Sequence, residues 1–158
     1  DLPIQDIWGS KDERTGEYEI LCVASNMYNN YGKELLSIKK NNTIKINNEG
    51  LSWSLHGLWF KSKRKYIIVG DGYYSSANYN KIWKRSSGIP LIFKFSINAN
   101  DLNDIVICGD FGFISHFNGY NWRNYYTDTD NHSVKIKENI AVCVGGNGRN
   151  AQIVILRR

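Results

Sequence analysis

The stretch "DIVICGDFGFISHFNGYNW", residues 104–122, decides the fold. It runs apolar segment, Gly-Asp, second apolar segment, Asn-Gly, Trp. The apolar segments are short and rich in Ile, Val and Phe, which marks strands rather than helices. Asn-Gly at 118–119 is a strong cue for a two-residue hairpin turn. The stretch therefore reads strand, turn, strand, hairpin, strand.

The same order recurs along the chain. "ILCVAS" (20–25), "IIVGD" (67–71), "VICGD" (106–110) and "VCVGG" (142–146) align, so that Ala24, Gly70, Gly109 and Gly145 share one register. Their separations are 46, 39 and 36 residues. Another apolar run precedes each: "IQDIW" (4–8), "LHGLWF" (55–60), "LIFKFSI" (91–97) and "SVKIK" (133–137). A third follows: "ELLSIK" (34–39), "KIWK" (81–84), "GFISHF" (112–117) and "AQIVIL" (151–156). A period near 40 built from strands predicts an all-β propeller of about four blades, each an antiparallel four-stranded sheet. The blades span roughly 1–53, 54–91, 92–127 and 132–158 of a single propeller segment, the last without its fourth strand. A small residue at one register position suits crowded packing of neighbouring sheets near an axis.

"NNEGLSW" (47–53) and "SHFNGYNW" (115–122) end alike and predict the hairpins before the outer strands, which Trp53 and Trp122 begin. "KRSSGIPL" (84–91) is a degenerate copy, with Pro90 on an edge strand. All five Trp are expected to pack between blades. Four blades with one incomplete, in a chain that opens on Asp1 rather than Met, lead to the expectation of a C-terminal half-ring. The N-terminal half of the same protein or a second copy would complete it.

The 158 residues carry a net charge of +5, 42% apolar residues and 13% aromatics, a composition for a packed core and not for disorder. No apolar window is long enough for a membrane span. Lys61-Ser62-Lys63-Arg64-Lys65 is the densest basic run and reads as a solvated hairpin tip, not a nucleic-acid patch. Cys22, Cys108 and Cys143 sit in apolar runs and read as free buried thiols, which leaves the compartment open.

Several segments resemble a family of mostly uncharacterised bacterial propeller proteins of the Bacteroidetes and Ignavibacteria lineages. They are "IQDIWGS" (4–10), "LWFKSKRKYIIVGDG" (58–72), "NDIVICGDFGFISHFNGYNW" (103–122) and "AQIVILRR" (151–158). The resemblance implies a secreted or lipid-anchored protein at the cell envelope. Some members look similar to photosystem II assembly-factor propellers, and others carry glucosyltransferase-like labels, for which no nucleotide-sugar motif is present here. A weaker similarity is to Asp-box propellers, which include sialidases: "INNEGLSW" (46–53) keeps Asn48, Gly50, Ser52 and Trp53. In that family the box is a structural turn.

The loops expected between second and third strands are "SNMYNNYG" (25–32), "DGYYSSANYN" (71–80), "DFG" (110–112) and "GNGRN" (146–150). They gather Tyr28, Tyr31, Tyr73, Tyr74, Tyr79 and Phe111 with many Asn and Ser, a composition suited to docking a protein or glycan surface. The alternative is that they are only solvated loops. Asp71 and Asp110 follow the repeat glycine; each is expected to cap its own turn by accepting backbone N–H groups. A carbohydrate-active enzyme would instead use them as a carboxylate pair, but Ser25 and Gly146 at the equivalent positions weaken a catalytic ring. His56, His116 and His132 are scattered, the arginines form no clamp, and Asp101 and Asp104 read as turn formers. No catalytic residue, metal ligand or cofactor is assigned. The functional expectation is a non-catalytic binding scaffold; the alternatives are a glycosidase-like enzyme and an assembly factor for a membrane complex.

Overall fold

The computed structural model describes residues 2–26, 32–39 and 42–157. Among them are fifteen strands and no helix. The first sheet is β1 (Ile4–Lys11), β2 (Tyr18–Ser25), β3 (Lys33–Lys39) and β4 (Asn42–Ile46). The second is β5 (Leu55–Lys61), β6 (Lys65–Gly70), β7 (Tyr73–Ser76) and β8 (Lys84–Arg85). The third is β9 (Lys94–Asp101), β10 (Asp104–Gly109), β11 (Phe113–Phe117) and β12 (Trp122–Tyr126). The fourth holds β13 (Asn131–Lys137), β14 (Ile140–Gly146) and β15 (Ala151–Arg157). Every sheet is an antiparallel meander in chain order. The strands form two compact units, residues 1–87 and 88–158, each built of two packed sheets.

The small residues of the repeat have a cause inside each sheet rather than at an axis. The residue after each donates its N–H to the carbonyl that precedes the first strand of the same sheet: Ser25 to Pro3 (3.2 Å), Asp71 to Ser54 (3.3 Å), Asp110 to Phe93 (2.9 Å) and Gly146 to Asp130 (3.0 Å). That carbonyl leans over the small residue. A Cβ on Gly70, Gly109 or Gly145 would lie 2.1, 2.0 or 1.8 Å from it, so only glycine fits. A register shift opposite or beside the small residue accompanies the contact in all four sheets, as expected where a bulge re-aims the end of a strand.

Alternation along each second strand sends its side chains to opposite faces. In the first unit Leu21 and Val23 meet Leu58, Phe60, Tyr66 and Ile68 of the next sheet in one buried core. In the second unit Val106 and Cys108 meet Val134, Ile136, Ala141 and Cys143 at the same repeat positions. All three cysteines are free and buried. The Cys143 side chain beside it and burial raise the Cys108 thiol pKa, which keeps it protonated and inert.

A polar ladder adds to each core. Alternate side chains of β1 reach the backbone of β5 and the turn after it: Leu58 N donates to Asp6 Oδ2 at 2.8 Å, Trp8 Nε1 donates to Phe60 O at 3.0 Å, and Ser62 N donates to Ser10 Oγ at 3.1 Å. The second unit repeats it between β9 and β13 with the turn after it. Val134 N donates to Ser96 Oγ at 3.3 Å, Ile136 N to Asn98 Oδ1 at 3.1 Å, and Asn100 Nδ2 to Glu138 O at 2.7 Å. An edge strand whose polar backbone would otherwise stand open is satisfied by side chains of the preceding sheet.

Two strand assignments differ from the sequence reading. In the second sheet the third strand is Tyr73–Ser76, not 81–84, because Gly70 N bonds Gly72 O (3.1 Å) and closes a tight turn. The extra residues lie between third and fourth strands, where Trp83 is buried. The segment 47–53 is also not a hairpin. It follows β4 and joins two sheets, docking on Trp83 through Trp83 N to Glu49 O (2.9 Å) and Trp83 Nε1 to Asn47 O (3.3 Å). Gly50 has φ 84°, and a Cβ there would lie 2.2 Å from Trp83 O. Trp53 consequently starts no strand and is exposed, and Pro90 lies in the connector before β9. The 115–122 hairpin forms as read, with Asn118 Oδ1 accepting from Tyr120 N and Asn121 N, both at 3.0 Å. Trp8, Trp59 and Trp83 pack inside the first unit, whereas Trp122 packs tilted against Phe117 within its own hairpin, ring centroids 5.1 Å apart. Residues 61–65 form the β5–β6 turn, with Arg64 N bonded to Lys61 O at 3.0 Å.

Candidate binding face

The structure separates the eight singled-out residues. Tyr28 and Tyr31 lie outside the described residues. Tyr73 and Tyr74 are not on a solvated loop: both are buried strand residues, paired with Val69 and Ile68. Burial pushes both phenols up. Tyr79 packs edge-on against Tyr66 at 5.4 Å, beside the β5–β6 turn, at the end of the sheet opposite the expected loop face. These three aromatics are structural because the turn at 70–72 starts the third strand early.

Asp71 does not cap its own turn with backbone N–H groups. Its Oδ1 accepts from the Tyr74 hydroxyl at 3.0 Å and from the Ser52 hydroxyl. Its carbonyl accepts from the Arg85 guanidinium at 2.9 Å, and that group lies 5.8 Å from the Tyr74 ring centroid. Asp71 thus ties a connector, a strand and an edge residue together, a structural task.

Asp110 and Phe111 remain, at the β10–β11 turn. Phe111 is one of three non-glycine residues with positive φ among the described residues, at 54°. The residue is 78% exposed. Its N–H donates to Asp130 Oδ1 at 2.8 Å, which locks the left-handed turn. Gly112 follows at φ 70°, and Thr127 O stands 1.8 Å from where its Cβ would be. The backbone of the turn is therefore held on both sides of Phe111. Asp110 beside it accepts no hydrogen bond through its carboxylate from any described residue. Burial first, then the Asp130 charge, raise its pKa, while His132 opposes the shift.

Around this turn the second unit presents further groups. His132, exposed, lies 5.0 Å from the Phe95 ring, which lies 5.3 Å from Phe93. Leu91 is exposed in the connector before β9. A hollow of about 360 Å³ is lined by His132, Gly145, Gly146, Gly148, Arg149, Asn150 and Ala151. Asn147 Oδ1 shapes its rim by accepting from Arg149 N (3.2 Å) and Asn150 N (3.1 Å). Asp130 escaped the sequence reading because nothing local marks it; its position just before a first strand, where the repeat places the leaning carbonyl, is the signal that finds it.

His116 bonds Asp104 at 2.9 Å within one sheet, a pair between neighbouring strands rather than a metal site. Among the described residues no cluster of three metal-ligating side chains occurs. Among the described residues no helix is long and apolar enough to cross a membrane.

No family model matches the chain, and no curated protein matches it. Among solved structures, YCF48 bound to D1 peptide is similar over 98% of this chain, with a TM-score of 0.68 and 11% identity. The chain spans 50% of that structure's length. With four meandering antiparallel sheets and that likeness, the chain has a β-propeller fold.

Proposed function

We propose that this chain is a non-catalytic propeller scaffold that seats a segment of another protein on the turn face of the β9–β15 unit, within a ring that further sheets complete. Phe111 carries the reading. A left-handed backbone costs a non-glycine residue about 1–2 kcal/mol, and an exposed ring recovers none of that by burial. Strain kept at a rigid turn with a projecting aromatic is the arrangement of a binding anchor. Asp110 supplies an acceptor with no donor among the described residues, suited to a backbone N–H or a basic side chain of the bound segment. Arg149, Asn150 and His132 supply donors for its carbonyls. That YCF48 was solved with a peptide supports a peptide as the class of ligand; it does not identify one. The commitment of Asp71 to Ser52 and Tyr74 speaks against a carboxylate pair shared with Asp110, and so against the glycosidase reading.

The test is selection from a displayed random peptide library on the 158-residue chain, in parallel with a glycan array, followed by affinity measurements on Phe111→Gly. Anchor residues of an interface are worth about 2 kcal/mol or more. Selected peptides should therefore bind Phe111→Gly roughly 30-fold more weakly, while its thermal unfolding temperature stays the same or rises. Peptides that bind both proteins equally, or glycan hits without peptide enrichment, would defeat the proposal.

A further inference from the structure

We infer that a basic hollow in the first unit, lined by Arg64, Lys65, Lys81 and Lys84, binds a phosphate group, free or carried on a small molecule. It is a second site, in the other unit, and does not rest on the peptide reading.

The densest basic run of the sequence is divided in the fold. Lys61 pairs with Glu13 at 3.2 Å and Lys63 with Glu19 at 3.9 Å. Arg64 and Lys65 instead line a hollow of about 420 Å³, together with Lys81 and Lys84. No acidic residue lines it, and none of these four side chains has an ion-pair partner among the described residues. Strand register explains the convergence. Ser75 stands opposite Ile67 on one side and Lys84 on the other. Lys65 lies two residues before Ile67, so alternation puts Lys65, Ser75 and Lys84 on one face of the sheet. Tyr66, Ile68 and Tyr74 take the other face and join the core. The early third strand leaves residues 77–83 between β7 and β8, and this excursion brings Lys81 and Ile82 into the lining.

Four like charges around one hollow repel one another, and burial adds a cost at Lys65. That residue is half-buried, which pulls its ammonium below the ordinary lysine pKa. A desolvated cation with no carboxylate beside it destabilises the fold until an anion arrives. The half-buried Ser75 lines the same space, and its hydroxyl has no hydrogen-bond partner among the described residues. Phosphate is the anion this set of donors fits. It carries between one and two charges near neutral pH, and its oxygens accept several charge-assisted hydrogen bonds at once from ammonium, guanidinium and hydroxyl groups. A carboxylate offers one charge and two oxygens. Ile82, exposed at the hollow, gives an apolar surface to whatever carries the phosphate. The volume falls within the span of small-molecule sites, roughly 300–1,000 Å³.

Thermal unfolding and isothermal titration of the 158-residue chain with inorganic phosphate, glucose 6-phosphate and acetate, at constant ionic strength, test this. Phosphate should bind saturably and raise the unfolding temperature, whereas acetate should do neither. Lys65→Gln should weaken phosphate roughly tenfold or more, the effect of losing a hydrogen bond from a charged group. In phosphate-free buffer the same variant should unfold at the wild-type temperature or above it, because the unpaired ammonium is gone. Lys137→Gln, at an exposed position of β13, removes one charge from the other unit and should leave the affinity unchanged. Tighter binding of glucose 6-phosphate than of phosphate identifies a carried group; equal or weaker binding identifies the free ion. Absence of saturable binding by both overturns the inference. So does an affinity that acetate matches, or that Lys65→Gln and Lys137→Gln lower equally, since either reveals diffuse attraction to a chain of net charge +5. If Lys65→Gln fails to fold, Lys84→Gln, exposed on the edge strand, takes its place in the comparison. Phe111→Gly should bind phosphate as the wild type does, so a failure here leaves the peptide site standing.

Discussion

The carbonyl oxygen of Phe93 stands 2.0 Å from the point a Cβ on residue 109 would occupy, and it accepts the N–H of Asp110 at 2.9 Å. One contact thus explains both the glycine and the turn that follows it. Gly109→Ala must push two backbone segments apart. It should destabilise the chain by about 2 kcal/mol or more, within the range of overpacked cores. Gly9→Ala, where the nearest atom to a Cβ is 3.7 Å away, should change stability by less than ~0.5 kcal/mol. Urea unfolding of both variants checks the contrast; equal losses would mean that the leaning carbonyl does not constrain the strand.

Asn98 is the buried rung of the second unit's ladder, its Oδ1 accepting from Ile136 N at 3.1 Å. Asn98→Ala leaves that N–H buried and unpaired, a cost of about 1–3 kcal/mol. Asn98→Asp keeps the acceptor and should lose less at neutral pH. Hydrogen exchange at Ile136 provides a local readout: its protection should fall in Asn98→Ala more than that of amides in the first unit.

The Tyr66 hydroxyl donates to Glu19 Oε2 at 2.7 Å and accepts from Lys63 N at 3.0 Å. Ser62 Oγ donates to the same carboxylate oxygen at 2.8 Å, so this network fastens the β5–β6 turn, where Lys63 has φ 58°, to the neighbouring sheet. Burial, and then the Glu19 hydrogen bond, raise the Tyr66 phenol's pKa and hold it as a donor. Tyr66→Phe should cost about 1–2 kcal/mol, and adding Lys63→Gly, which removes the turn strain, should return part of it. Thermal denaturation of the single and double variants decides.

Asp110 binds its proton more tightly in the folded chain than at the ordinary value of 3.8, because burial and the Asp130 charge disfavour the carboxylate. Between 3.8 and the raised value the folded state holds more protons than the unfolded one, so this group's contribution to stability falls as pH rises through that interval. At neutral pH the charge is a net cost, and Asp110→Asn should raise the unfolding temperature and flatten the acidic end of the stability profile. An unchanged profile would show that the group is fully solvated. The same variant should weaken selected peptides, separating what the residue does for stability from what it does for binding.

Much of the fold was legible because it is local. β-branched runs of four to six residues, Asn-Gly at 118–119 and a small residue recurring about every 40 positions specify strands, turns and period without knowledge of any distant contact. The misplacements have an equally local origin. Two short turns were possible after Gly70, and only the Gly70–Gly72 hydrogen bond and the burial of Tyr73 and Tyr74 select the earlier strand. The segment 47–53 looks like a hairpin until Trp83 is seen to hold it.

By itself the sequence determined an all-β repeat with meandering sheets, buried thiols and a turn at Asp110-Phe111-Gly112. Tertiary structure decided which aromatics are core and which are presented to solvent, why three of the four repeat positions are glycine, and which carboxylates are already committed. The reason is distance along the chain. Phe111 is fixed by Asp130, Asp71 by Ser52, and Ile136 by Asn98, partners 19 to 38 residues apart, and no local propensity encodes a bond between residues that only folding brings together.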